Sequence, residues 1–202
     1  MWSIDHAGGV MGGNATAVRP RALGIAGAIL WAVTGALAAG AVVRVATYGR
    51  FMEVSDQACQ AVMSLEPPGG WSDNSFPCEQ LGPLSWFLPY WAAVAAYAVF
   101  ATLFLVAAVL TVRSRPAAQG FTLWTAITAV ALLAVPGLFD LGRVFAETGA
   151  NQADTLVAER VHDTFPAWVE TVDTVVQALL VAGAVAAVWL LRRPEARAFL
   201  KR

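Results

Sequence analysis

Glu170, Asp173 and Gln177 stand three and four residues apart in the stretch PAWVETVDTVVQALL, residues 166–180, which opens the last apolar run of the chain. Two carboxylates and an amide on this spacing can neutralise an arginine, hold a cation or a lipid headgroup, or serve as acid–base groups toward a bound substrate. At about 100° per residue they fall within roughly 60° of one another around a helix, and Thr174 shares that face. The stripe therefore points one way, and its depth decides its chemistry.

Counting about 20 residues back from Arg192 sets Glu170 in the headgroup zone, Asp173 at the hydrocarbon boundary and Gln177 one turn deeper. The same count sets Arg44, Asp140 and Arg143 at the outer ends of two other apolar runs, so all six residues are expected in one layer. Two readings follow. The layer is either an ion-pair cluster that fixes helix register, worth about 0–1 kcal/mol per exposed pair, or a polar pocket with Asp173 and Gln177 reaching inward. No acid or base lies near the middle of any apolar run, which argues against a proton relay or an ion-coupled path through the whole bilayer.

His162 and Asp163, with Glu159 or Glu170, make a poor zinc signature, because zinc sites generally need more nitrogen or sulfur ligands. His6 lies in a glycine-rich tail. There is no P-loop, dinucleotide-binding glycine pattern or H-E-x-x-H, so no catalytic set, metal site or cofactor is assigned. The basic residues flank apolar runs and read as topology signals, which leaves nucleic-acid binding without support.

The elements that must position these residues are set by composition. Of 202 residues 58% are apolar and only 13% charged, against about 25% charged in a soluble domain. An apolar helix of about 20 residues crosses a hydrocarbon core of about 30 Å. Four runs meet that length, at about 22–43, 88–112, 121–140 and 170–191. They are continuous rather than alternating, which excludes barrel strands. Their many Ala and Gly residues allow close helix approach.

Segments 1–21, 113–120 and 192–202 hold nine bases and two acids, a net of +7, while the outer loops, about 44–83 and 141–167, taken with Asp140, Glu170 and Asp173 at the outer ends of the runs, hold four bases and twelve acids, a net of −8. The positive-inside rule then puts both termini in the cytoplasm. Cleavage of the first run as a signal peptide, at the ALA of residues 36–38, is the competing reading. The run continues apolar to Val43, which favours an anchored span.

Both cysteines, Cys59 and Cys78, fall in the first outer loop and read as one disulfide, worth roughly 3 kcal/mol in the chain-entropy account. Phe51, Val54, Ala58, Val62 and Leu65 recur at helical spacing, which predicts an amphipathic helix lying over the bundle or at the headgroups and ended by the PPGG of residues 67–70. Residues 151–165 predict a second surface helix, with Leu156, Val157, Val161 and Phe165 turned to protein or lipid. Trp86, Phe87, Tyr90, Trp91 and Trp168 at one end, and Trp124 and Trp189 at the other, form aromatic belts. Pro89 and Pro136 mark kinks or helix starts. Pro194 should stop or bend the last helix, leaving Ala196, Phe199 and Leu200 to the inner headgroup layer.

The expected fold is an all-α integral membrane protein: a four-transmembrane-helix bundle with cytoplasmic termini and a disulfide-stapled helical first extracytoplasmic loop. Twelve arginines against one lysine point to a GC-rich bacterial genome and hence to a bacterial plasma membrane. The expected role is non-enzymatic: an accessory, scaffold or partner-binding component whose contacts are the lipid bilayer and another membrane protein or a second copy. A transporter, channel or small-ligand sensor using the outer acidic pocket is the first alternative, and an envelope enzyme acting on a lipid-linked substrate the second.

Overall fold

The computed structural model describes residues 20–65, 78–135 and 152–201, and among them every regular element is helical. Helix α1 spans Arg21–Met63, α2 Cys78–Val112, α3 Ala118–Ala129 with a π-helical turn at Val130–Ala134, α4 Gln152–Thr164, α5 Ala167–Leu191 and α6 Pro194–Leu200. Three helices (Arg21–Met63, Tyr90–Val112 and Ala167–Leu191) are long and apolar enough to cross a membrane, by length and composition; the apolar helix Ala118–Ala134 is shorter.

The main departure from expectation is α1. The amphipathic stretch after Arg44 does not lie across the bundle. It continues the first span as one helix of 43 residues, about 64 Å long, roughly twice the hydrocarbon thickness. The sequence explains this. No proline occurs between Pro20, which caps the helix start, and Pro67, so nothing breaks propagation. The helix ends at Met63 with Ser64 as its C-cap; the PPGG of 67–70 lies outside the described residues. Leu65, expected on the amphipathic face, is exposed beyond the helix end.

Helix α2 is also longer than its apolar run. It begins at Cys78 and passes through Pro83 and Pro89, so Pro89 starts no helix. Pro136 is outside the described residues, but the π turn of Val130–Ala134 ends just before it.

Helix α1 packs against α2 and α5, and α3 packs against α2 and α5, which sets the four in a ring with α1 and α3 on opposite corners. Leu23, Ala26, Leu30, Val33 and Leu37 are buried on α1, a spacing of three and four that faces one seam. Leu30, Val33 and Leu37 meet Tyr97, Phe100 and Phe104 of α2 and Val176, Leu180, Ala184 and Ala187 of α5. Among the described glycines the tightest contact is at Gly183, where an added Cβ would lie 2.4 Å from Val33 Cγ2. Gly40 admits the Tyr97 ring in the same way, with 3.4 Å to its edge.

The α1–α2 register follows from two contacts. Gly40 faces Tyr97 and Thr47 faces Tyr90, so each step up α1 matches an equal step down α2.

The two ends differ. Beyond Arg44, α4 packs on the extension of α1, with Val157 and Val161 buried against Val54, Ala58, Cys59 and Val62. This is the capped end. At the arginine end the chain breaks at Arg192–Arg193 and restarts as α6 with Pro194 in its first turn, where a missing N–H costs nothing. Ala196 and Leu200 of α6 are buried against Ala22, Leu23, Ala26, Leu190 and Leu191, and Phe199 packs on the same cluster. These three residues therefore cover the protein's own core, rather than being given over to a headgroup layer.

Candidate functional site at the capped end

Arg44 projects from α1 toward Asp173 of α5. Its Nη2 pairs with Asp173 Oδ2, and its Nε donates to Oδ1 at 3.3 Å, the forked geometry in which guanidinium and carboxylate planes match. The two side chains retain only 21% and 19% of their exposure. Such a pair is desolvated enough that losing one partner costs far more than at a surface.

Two tyrosines of α2, seven residues apart and therefore on one face, complete the layer. Tyr97 Oη donates to Asp173 Oδ1 at 3.5 Å, and Gln177 flanks the same hydroxyl. The Tyr90 hydroxyl donates to the Arg44 carbonyl and lies 3.2 Å from Thr47 Oγ1. The Arg44 guanidinium carbon sits 5.4 Å from the Tyr97 ring centroid and 5.9 Å from that of Tyr90, within cation–π range. One cation thus links three helices.

By helical rise, Asp173 is about 28 Å from Arg192 and Arg44 about 34 Å from Arg21, while Gln177 is about 22 Å from Arg192. A hydrocarbon slab of about 30 Å counted from the arginine end would have its far rim at the level of this pair, with Tyr97 and Gln177 one to two turns below it.

A cavity of about 440 Å³ opens above the pair. Its charged wall is Arg44, Asp173, Glu170 and His162, and its apolar wall includes Phe51, Tyr90, Phe165 and Val169. The rings are ordered on one another: Phe51 stacks on Tyr90 with centroids 4.6 Å apart, and Phe165 meets Phe51 edge-on at 5.9 Å. Asp173 is neutralised by Arg44, whereas Glu170, one turn nearer the mouth, has no ion partner among the described residues. Among the described residues the cavity therefore carries one uncompensated carboxylate beside aromatic faces, a combination that attracts cations.

Of the six residues expected in the layer, Arg44, Glu170, Asp173 and Gln177 come together at one end of the bundle. Asp140 and Arg143 lie outside the described residues. Thr174 does not join: it is exposed, and its hydroxyl donates to the Glu170 carbonyl at 3.0 Å. His162 and Glu170 share the cavity, but no group of three metal-ligating side chains occurs among the described residues. Cys59 is buried on α1; the side chain of Cys78, at the start of α2, lies outside the described part.

The tyrosines were the residues that spacing alone did not raise. Their signal is chemical: two hydroxyls seven residues apart in an apolar run each need a partner when buried.

Compared with known protein families, curated proteins and solved structures, the chain matches none.

Proposed function

We propose that this is a non-enzymatic, four-span membrane protein of the bacterial plasma membrane that presents a rigid helical platform to a partner, either another membrane protein or a second copy. The observation that carries the reading is the unbroken α1. Its last 20 residues, 44–63, project about 30 Å past the ion-pair layer, buttressed by α2 and α4. The α3 helix supplies the fourth crossing, and the nine bases of segments 1–21, 113–120 and 192–202 set both termini in the cytoplasm.

A Cys59–Cys78 disulfide belongs to this reading. Cys59 is twelve residues beyond Thr47, and Cys78 twelve before Tyr90, so the antiparallel register that pairs Thr47 with Tyr90 brings the two cysteines level. No free cysteine occurs among the described residues. The bond would tie the two projecting helices at their tips.

The exposed face of the platform carries Arg50, Glu53 and Gln57, themselves linked by hydrogen bonds of 2.8 and 3.4 Å. Native mass measurement after detergent-free extraction should give a stoichiometric complex or homo-oligomer that dissociates in Arg50→Glu/Glu53→Arg/Gln57→Glu protein. A strictly monomeric, partner-free protein contradicts the proposal.

The cavity at the capped end favours a second reading, a small-ligand sensor or transporter that recognises a cationic group at Glu170. Glu170→Gln should then abolish ligand-dependent flux or binding without unfolding the protein. Unchanged flux and binding in both Glu170→Gln and Asp173→Asn remove this reading.

A further inference from the structure

At the arginine end a second concavity, of about 340 Å³, runs between α3 and α5 on the face turned away from α1. Its shape follows from residue size. Ala126 and Ala184 are buried and form a shallow floor, while Ile127 and Val185 stand up beside them, 49% and 64% exposed. Small residues at the seam with large ones outside make a groove rather than a flat face.

We propose that this groove holds one acyl chain of an anionic phospholipid whose phosphate rests on Arg192. The dimensions fit. From Arg192 to Ala184 the groove runs about 12 Å along the helix axis, most of the roughly 15 Å depth of one leaflet. On α3 its lining extends to Val130, where the π turn begins. A chain entering beside Arg192 would therefore be contacted along most of its buried length.

The mouth has complementary chemistry. Arg192 is exposed and lines the groove, and its guanidinium has no carboxylate partner among the described residues. Trp189, also lining the groove, is fixed at the interface by Arg193, whose guanidinium carbon sits 4.1 Å from the ring centroid. Indole and arginine at headgroup level beside an apolar slot select a lipid, and the positive charge selects an anionic one. Lipid occupancy here requires that α3 and α5 face the bilayer but does not depend on which partner the platform binds.

The test is native mass spectrometry of the full-length protein released from micelles containing phosphatidylglycerol or phosphatidylcholine of identical chains. The wild type should retain one phosphatidylglycerol under activation that strips phosphatidylcholine, and lysophosphatidylglycerol, with a single chain, should be retained as well. Arg192→Gln should lower phosphatidylglycerol retention about fivefold, from the loss of roughly 1 kcal/mol of surface attraction, while Arg192→Lys keeps it. Ile127→Trp, filling the slot from its exposed rim, should lower retention of both lipids. Both variants change exposed side chains, and unchanged melting temperatures would verify that they fold. Equal retention of the two lipids by the wild type, no effect of either variant, or full competition by glycerophosphate, which has no chain, overturns the proposal.

Discussion

At the capped end, α1 and α5 are joined by a desolvated arginine–aspartate pair, which α2 braces with two tyrosine hydroxyls and a ring stacked on Phe51. Ten residues further down, the same helices meet where Gly183 admits Val33 to backbone distance. The contrast shows two ways of holding helices together when apolar burial is not a strong drive between them, because lipid is as apolar as leucine. Close packing fixes distance but tolerates sliding among similar small residues. A forked ion pair fixes register, because only one pairing satisfies both groups. Placing it at the hydrocarbon rim limits the desolvation cost that it would carry at the midplane.

The largest expected effect comes from breaking the polar latch. Asp173→Ala strands Arg44 and should lower unfolding free energy in micelles by about 3 kcal/mol. The double variant Arg44→Met/Asp173→Leu should recover most of it, because neither charge is then left unpaired. A single variant as stable as wild type would remove the latch from the account. Next is the packing contact. Gly183→Ala should cost about 2 kcal/mol, since Val33 is stiff at χ1 and cannot swing aside. Gly35→Ala, with nothing within 4 Å of the added carbon, should be neutral or slightly stabilising. If the two substitutions behave alike, the close crossing is not as described.

Smaller effects separate the cap from the bundle. Val157→Ala should cost about 1 kcal/mol and should speed hydrogen exchange in α4 selectively, with amides of Leu30–Leu37 unchanged. Uniform acceleration would mean that cap and bundle unfold as one unit. Glu170→Gln should alter thermal stability by less than about 0.5 kcal/mol, as expected of an exposed group with no ion partner among the described residues. A larger loss would show that Glu170 is part of the latch rather than free for a ligand.

Much of this was legible in the residues. The apolar runs placed the helices because an apolar stretch of that length has one low-energy state in lipid. Counting rise from the arginines puts Arg44 and Asp173 at one depth, and the two side chains pair. What counting could not supply was azimuth: depth alone does not say that Tyr90 and Tyr97 share the face that meets Arg44, nor that Thr174 points away. The continuity of α1 is hidden in the sequence for a different reason. Charge begins at Arg44, and a change of solvent there resembles a change of element, although the helix itself needs only the absence of a breaker, and none occurs before Pro67. The tail shows the converse. Pro194 did end the last long helix, yet Ala196 and Leu200 are buried on the protein's own core, a tertiary choice that amphipathic spacing alone leaves open.

The account turns on α1 being one rod that crosses the bundle and continues into the cap. Spin labels at two exposed positions, Gly24 and Gln57, measure this directly in lipid. An unbroken helix predicts a narrow distance near 50 Å. A segment bent at Arg44 to lie along the membrane surface would give about 36 Å by the same rise, and that result would contradict the continuous helix and the platform built on it.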